Sequence, residues 1–493
     1  MPISPKIPPF DPAETLSVTL DKSSAVPMYR QLGEALRGLV EDGALRPNAK
    51  LPPIRKLADY LGVNNVTVVN AYKYLESKRA AYSIPGSGTY AAELKNVESL
   101  ARTPALDYLR RSAEPPLSPG AINFADTATS SELFPVEEFK RAFNQVMDRD
   151  GGAAFDYQDS QGFPPLRESL RGYLAGWGIR CNSENIQVIS GAQQGVDIIA
   201  KILLSPGDCV IVEKPTFYGA AAAFASRGAQ IVWAEMEADG PDMERLASLV
   251  KIYKPKLLYV IPNYQTPACI SYSLEKKRQI LALAYDYDFT VIEEDSQSEF
   301  YYGQRPVPMK ALDYRNKVIY VKSFSKILMP GLRLGCMTLP GTVSRSAALA
   351  KHNTDISSSG FLQRAFDLYI DSPDFGAHCE KMRLEFKKRY EAMLKACDRY
   401  LAGFLDYGRP EGGLCLWMRM KRGGGLPEMA AEGLADALAY RNVIITPGSA
   451  FYMSGGGEDF FRLSFASAEA GRICAGIKTI AEELGNNRAA PAL

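Results

Sequence analysis

The chain has 493 residues, 46% of them apolar and 23% charged, with a net charge of +1. That length exceeds one ordinary domain and predicts two to four units with sizeable cores. Near-neutral charge excludes a chain that is basic throughout, and no apolar run approaches the ~18 residues of a membrane span, so a cytoplasmic location is expected. Eight scattered cysteines without C-x-x-C spacing read as buried thiols of a reducing compartment. The two histidines, His352 and His378, cannot build a His-rich metal site and lie in no nucleophile motif. Both read as structural, no metal is expected, and acid–base chemistry falls to lysine, to carboxylates or to a cofactor.

The first twenty residues are Pro-rich and aperiodic and read as a loose arm. From Pro27 the spacing turns helical, with Tyr29, Leu32, Leu36, Leu39 and Val40 on one face. A second helix carries Ile54, Leu57, Ala58 and Leu61 and stops at Gly62; Asn64 and Asn65 are natural N-caps for a third with Val68, Ala71, Tyr72 and Leu75 inward. Two helices separated by Gly-Val-Asn-Asn have helix-turn-helix spacing. Strand-like stretches at 80–84 and 89–91 then flank Pro85-Gly86-Ser87-Gly88, a hairpin with a glycine-rich tip.

Over residues 1–92 the motifs Pro27-Met28-Tyr29-Arg30-Gln31-Leu32, Leu51-Pro52-Pro53-Ile54-Arg55-Lys56-Leu57-Ala58, Thr67-Val68 with Ala71-Tyr72-Leu75, and Gly86-Ser87-Gly88-Thr89-Tyr90 resemble the GntR-type winged helix-turn-helix. The resemblance implies double-stranded operator DNA as partner, with the third helix in the major groove and the wing at the minor groove or backbone. Arg55, Asn64, Asn65, Thr67, Lys73 and Ser87 are the candidate DNA contacts. Residues 1–90 hold 11 Lys or Arg against 8 Asp or Glu, a mild basic excess. Where the family has Ser-Arg at the start of helix three, this chain has Asn64-Asn65, which suits adenine edges and predicts a different operator.

Residues 93–120, rich in proline, read as a semi-rigid linker. Beyond it, apolar runs at 186–189, 209–212, 231–233, 257–261, 289–292 and 318–321 alternate with helical stretches, the pattern of an α/β unit with a mostly parallel sheet. Polar groups follow most of the runs: Ser190-Gly191-Ala192-Gln193, a turn able to hold phosphate on backbone N–H groups; Phe217; Asn263 and Thr266; Glu293-Glu294-Asp295; and Ser323-Phe324-Ser325-Lys326. Open α/β folds bind ligands at these strand ends. A lysine desolvated there can lose its proton and form a Schiff base, and Ser323, Ser325 and Arg333 suit a phosphate dianion. A phosphate cup, a stacking ring, an acid and a lysine are together what pyridoxal 5'-phosphate needs.

Residues 121–493, with a smaller subdomain from roughly 345, resemble a fold-type I aminotransferase of class I/II. The motifs are Tyr157-Gln158-Asp159-Ser160-Gln161-Gly162, Gly191-Ala192-Gln193-Gln194, Pro215-Thr216-Phe217, the stretch 323–335 and Phe461-Arg462-Leu463-Ser464-Phe465. The resemblance implies that Lys326, the catalytic residue, forms the aldimine, that Ala192, Gln193, Ser323, Ser325 and Arg333 hold the phosphate, and that Phe217 stacks on the ring. It further implies that Arg462, with Asn263, meets the effector, and that Tyr157 reaches the phosphate from a neighbouring subunit. Two departures stand out. Ungapped, the acid for the pyridine nitrogen is Glu294, with Asp295 the alternative. Both usual partners of the ring 3'-oxygen are changed, to Ser296 and Thr266, so efficient transamination is not expected.

The fusion of the two parts resembles the MocR/GabR regulators. It implies a head-to-tail homodimer that controls transcription by sensing an amino compound, or the cofactor itself, through aldimine formation. The alternative is a working aminotransferase with an accessory N-terminal module.

Overall fold

In the N-terminal part of the computed structural model, three helices and a hairpin enclose one apolar cluster. They are α1 (Met28–Glu41), α2 (Ile54–Leu61), α3 (Asn65–Ser77), β1 (Ala81–Ile84) and β2 (Gly88–Ala91). Leu32, Leu36, Val40, Leu57, Ala58, Val68, Ala71, Tyr72 and Leu75 form the cluster, as the helical spacing predicts. Tyr29 and Ile54 depart from that prediction, each 36% exposed. Both stand in the first turn of their helices, beyond the cluster that covers the rest of the face. Gly62, at φ +61, ends α2 in the left-handed conformation a Cβ disfavours. In the hairpin, Tyr82 pairs with Tyr90 and the two rings stack at 5.6 Å.

The structure describes residues 20–21, 24, 26–41, 45, 49–78, 80–84, 88–91, 120–421, 429–453 and 455–486. The chain divides into two compact units, Met1–Asp107 and Tyr108–Leu493. Except for Leu20 and Gly120, the expected arm and linker lie outside the described residues.

The second unit is built on an eight-stranded sheet. Its main strands are β3 (Ile186–Ile189), β4 (Cys209–Lys214), β5 (Gln230–Glu237), β6 (Leu257–Val260), β7 (Thr290–Asp295), β8 (Val318–Ser323) and β9 (Gly335–Thr338), and helix α4 (Ala192–Leu203) follows β3. The order is β3-β9-β8-β7-β6-β4-β5, with a two-residue strand at Gly240–Pro241 on the far edge. The pairs from β8 through β7, β6 and β4 to β5 are parallel. All six strands read from the sequence are present. The seventh, β9, is not among the predicted runs; it enters antiparallel between β8 and β3. Its Gly335 pairs with Ser323 on one side and Ile189 on the other. The loop that follows β3 and the loop that carries Lys326 therefore start on either side of one glycine.

A helix α5 (Pro373–Tyr400) leads into a second, four-stranded sheet of β10 (Leu405–Tyr407), β11 (Cys415–Met420), β12 (Thr446–Pro447) and β13 (Phe460–Ser464), and α6 (Ala470–Asn486) follows. The order is β10-β11-β13-β12, antiparallel throughout. Among the described residues no helix is long and apolar enough to cross a membrane.

Candidate functional site

The phosphate cup assembles from both sides of Gly335. After β3 the chain turns through Gly191, at φ +90, into the N-terminus of α4, whose first N–H groups have no intrahelical partner and carry the positive end of the helix dipole. Arg333 itself sits in the left-handed region, at φ +52. That turn aims its guanidinium back, so that Nη2 donates to the Ser190 carbonyl at 2.9 Å and Nη1 to Ser325 Oγ at 3.5 Å. A Cβ on residue 191 would overlap Arg333 Nη2, so the close approach requires glycine. The Ser325 N–H donates to Ser323 Oγ at 3.3 Å. Gln193 Nε2 donates to the Gly219 carbonyl at 2.9 Å, and a Cβ on Gly219 would meet the Phe217 ring at 2.8 Å, which brings Phe217 beside Gln193 and Ala192.

Lys326 is half-buried. Burial, reinforced by the charge of Arg462, lowers its amine to about 8, against the opposing pull of Asp126 and Cys415. Its Nζ donates to the Thr127 carbonyl at 2.7 Å and reaches Thr127 Oγ1 at 2.5 Å. Thr129 Oγ1 donates to the Lys326 carbonyl at 2.6 Å, and His378 Nε2 bonds the Ile327 carbonyl at 2.7 Å. Two successive carbonyls, of Lys326 and Ile327, are thus pinned. Neither threonine stands in a recognisable motif, and no sequence signal marks them.

Strand alternation sorts the two acids. Ile292 and Tyr259 belong to the cluster beneath α4 together with Ala192, and Glu294, two residues from Ile292, shares that face. It accepts the Tyr259 hydroxyl on Oε2 at 2.6 Å; burial, aided by the neighbouring Asp295 charge, pushes its carboxyl up to about 7. Asp295 points to the other face. It accepts Tyr320 OH at 2.6 Å, Lys322 Nζ at 3.2 Å and the N–H groups of Gln297 and Ser298 at 3.2 and 3.1 Å. Burial alone would raise Asp295, but the charge of the wholly buried Lys322 and these bonds hold it below the usual range. Asp295 is therefore part of a buried ion network that also includes Glu299, at 2.8 Å from Lys322, and the sequence-level alternative of Asp295 as a cofactor ligand is corrected.

Asn263 is also corrected. It is 2% exposed, gives Nδ2 to Ser298 Oγ at 3.1 Å and takes Lys277 Nζ on Oδ1 at 2.6 Å, so a buried lysine consumes the amide assigned to the effector. Thr266 and Ser296 are both half-buried. Thr266 Oγ1 accepts from Gln297 Nε2 at 3.2 Å. Tyr157 is 86% exposed and is not brought into the cluster within one chain.

Arg462 lies on β13 and is 9% exposed. Nη2 donates to the Ala125 carbonyl at 2.7 Å, the guanidinium lies 5.0 Å from the Phe451 ring centre, and Nε is buried without a hydrogen-bond partner. It makes no ion pair among the described residues. A buried guanidinium that has no carboxylate partner among the described residues, near enough to Lys326 to depress its amine, has the charge and donors to pair with an anionic group.

In the N-terminal unit, Asn64 is the cap of α3: its Oδ1 accepts the Val66 N–H at 2.9 Å. The cap occupies Oδ1, so the base contact expected from the sequence would fall to Nδ2. Asn65, Lys73 and Arg55 are exposed and Thr67 is half-buried, while Ser87 lies outside the described residues. Val66, Asn70, Lys73 and Ser77 form one exposed face of α3 at helical spacing. Asn70, not among the candidate contacts read from the sequence, joins Lys73 on this face; its place between buried Val68 and Ala71 at helical spacing was the available signal.

The residues fit pyridoxal 5'-phosphate: a cup that a Cβ at 191 would fill, a lysine with a lowered pKa, a carboxyl on the face of the cup, and an arginine without an ion pair among the described residues. The unit is thus a phosphate-binding α/β fold with an amine nucleophile at its strand ends. The chain belongs to the aminotransferase class I and II family, whose model matches residues 121–480, and the gntR family of bacterial regulatory proteins matches residues 28–91. It is 31% identical over 418 residues to the probable rhizopine catabolism regulatory protein MocR of Rhizobium meliloti, covering 82% of this chain and 84% of that one. It is 30% identical to the 2-aminoadipate transaminase of Thermus thermophilus, over 74% of this chain and 90% of the relative. The fold matches the α-aminoadipate aminotransferase LysN of Thermus thermophilus, solved with N-(5'-phosphopyridoxyl)-L-leucine, at TM-score 0.73 and 29% identity, over 80% of this chain and 98% of that one.

Proposed function

We propose that the protein is a transcriptional regulator that requires pyridoxal 5'-phosphate and reads an amino acid or related amine at Lys326. The observation that carries this reading is the buried Arg462, without an ion pair among the described residues, beside a lysine of lowered pKa, in a chain that also bears a helix-turn-helix unit. MocR covers more of this chain than the second unit alone contains, whereas the 2-aminoadipate transaminase covers less, which favours regulation over turnover.

The cofactor, when bound, supplies an aldehyde that condenses reversibly with amines. Each nearby residue then has a defined task. Arg333, Ser323, Ser325 and the N-terminus of α4 would hold the phosphate, and Phe217 would lie against the ring. Glu294 would hold a proton at the pyridine nitrogen, with Ser296 and Thr266 at the ring oxygen. The amine of Lys326 is poised to attack because part of its population is neutral near pH 8. Arg462 would bind the effector's carboxylate in a bidentate pair. For this to change DNA binding, the effector must favour one arrangement of the units over another.

Domain boundaries at 1–92, 93–120 and 121–493, a cytoplasmic location and a head-to-tail homodimer complete the proposal. The exposed Phe155, Tyr157 and Ile356, on neighbouring segments, support a partner covering that surface.

The test is the visible spectrum of the full-length protein beside Lys326→Ala, before and after borohydride. A yellow band fixed by borohydride only in the wild type is expected, and amines that shift it should change operator affinity in a gel-shift assay. A colourless protein after addition of the cofactor would overturn the reading.

A further inference from the structure

Two thiols outside the residues assigned above are brought together from different sheets. Cys269 lies in the loop after β6, and Cys415 begins β11 of the smaller sheet. Although 146 residues apart in sequence, their Sγ atoms are 2.8 Å apart; both residues are buried, at 3% and 1% exposure, and neither is in a disulfide. Cys269 holds φ +53, a conformation costly for a side-chain-bearing residue. A Cβ on the facing Gly413 would stand 3.1 Å from Cys269 Sγ, so the sulfur is received by a residue without a side chain. Cys415 also contacts the Pro267 carbonyl at 3.5 Å, which ties it to the same loop.

The pair is electrically asymmetric. The hydrogen bond with Cys269 lowers the Cys415 thiol; burial opposes this, and the charges of Arg462 and Lys326 reinforce it. The bond to Cys415 and burial push Cys269 well up. Cys415 is thus the more acidic thiol of the pair and lies nearer the cations, which makes it the sulfur to attack first and Cys269 the resolving partner.

We propose that Cys269 and Cys415 are a redox modification site: a hydroperoxide oxidises them to a reversible disulfide that ties the smaller sheet to the loop of the large one. In the first step the Cys415 sulfur attacks the terminal oxygen of the hydroperoxide. The O–O bond breaks, the alcohol or water leaves with the proton of the pair, and Cys415 becomes a sulfenic acid. In the second step the Cys269 sulfur attacks the Cys415 sulfur, the S–O bond breaks, and water is released. Two thiols lose two electrons and two protons; the hydroperoxide gains them as alcohol and water. The sulfurs need to close less than 1 Å to reach a bond of about 2.05 Å. A dithiol reverses the change by exchange. Disulfides of reducing compartments are mostly of this transient, sensing kind.

The consequence rests on the proposed function, but formation of the bond does not. The bridged loop carries Thr266, and β11 sets Trp417 opposite Arg462 on β13. A bridge would fix the arginine's sheet relative to the cofactor loop and slow uptake of the cofactor.

The experiment is to expose the full-length protein to hydrogen peroxide, alkylate the remaining thiols, digest without reduction and map the peptides by mass. A linked Cys269–Cys415 peptide, two hydrogens lighter and abolished by dithiothreitol, is expected. If both cysteines stay alkylatable at a dose that oxidises the exposed Cys474, or go to sulfinic acid unlinked, the site is refuted. In Cys269→Ser, dimedone should trap Cys415; in Cys415→Ser it should trap nothing at Cys269, and the reverse pattern overturns the assignment. Oxidised wild type should take up pyridoxal 5'-phosphate more slowly than reduced protein, and Cys269→Ser should be indifferent to peroxide in this assay. Equal rates would remove the locking role. A protein that binds no cofactor at all still yields the mass result, so the two readings fail separately.

Discussion

The guanidinium of Arg333 occupies the space that a side chain on residue 191 would need. The phosphate cup therefore depends on a missing methyl group as much as on the charged one. Gly191→Ala should push Arg333 off the Ser190 carbonyl and strain a backbone at φ +90. Loss of a charge-assisted contact costs about 1.5–3 kcal/mol, so the affinity for pyridoxal 5'-phosphate should fall roughly 10- to 100-fold. An absorbance titration of the full-length variant, beside Arg333→Ala, measures it. Wild-type affinity in Gly191→Ala would show that the phosphate lies elsewhere.

The lowered amine of Lys326 predicts a pH profile. An ordinary lysine is protonated up to about 10.4, so its reaction with an aldehyde keeps rising across that range. Here the neutral fraction grows as pH rises through about 8 and is nearly complete a unit or so above. The rate at which added pyridoxal 5'-phosphate becomes fixed by borohydride should climb from pH 6.5 and level off near pH 9. Arg462→Gln removes the charge that depresses the amine beside burial, so the plateau should move to higher pH. A wild-type rate still climbing past pH 10 would mean that the amine is not depressed.

Glu294 and Asp295 are adjacent in sequence and opposite in task. Asp295→Asn would leave Lys322 buried against a neutral amide and weaken its ion network, a change of the kind that costs about 3–5 kcal/mol. A clear fall in the urea midpoint is expected. Glu294→Gln keeps an acceptor for the Tyr259 hydroxyl and, in a carboxyl already pushed up to about 7, removes little charge at pH 6, where the urea midpoints are measured. Its midpoint should stay within about 1 kcal/mol of wild type, while the absorption of bound cofactor should change. If the two variants exchange these phenotypes, the strand faces have been assigned wrongly.

The contrast between these residues also marks what could be read beforehand. The strands at 186–189 and 257–260 are buried along their whole length, and a strand buried on both faces shows as an apolar run. β9 is equally buried, but it opens on Gly335, where the Lys322 carbonyl would stand 2.7 Å from any Cβ. The close approach that makes the strand fit thus removes the residue that would have advertised it. Lys326, Arg333, Ser323 and Ser325 could be proposed together from motif order because they lie within eleven residues of one another. Thr127 reaches Lys326 across 199 residues, and only the closed fold supplies that contact. Asn263 failed for the complementary reason: a polar residue at a strand end looks available until a buried lysine from a later helix is found to need it. Asp295, the alternative to Glu294, differs from it by one residue of strand phase, which the three-residue acidic run Glu293-Glu294-Asp295 cannot fix by itself.

The exposed face of α3 separates three asparagine and lysine roles that sequence alone merges. Lys73→Ala should weaken binding to every DNA sequence alike and reduce the salt-dependence slope by about 1, as loss of one phosphate contact does. Asn70→Ala should leave that slope unchanged and cost about 1–3 kcal/mol of discrimination, because an asparagine amide on the groove face reads adenine. Asn64→Ala should act on folding, lowering stability by ~1 kcal/mol through the lost bond to the Val66 N–H. Sites selected from random DNA, fluorescence anisotropy over a salt series and thermal melts distinguish the three. A changed consensus in Asn64→Ala with normal stability would place that residue at the DNA interface. An unchanged consensus in Asn70→Ala would mean that Asn65, at the start of the helix, does the reading.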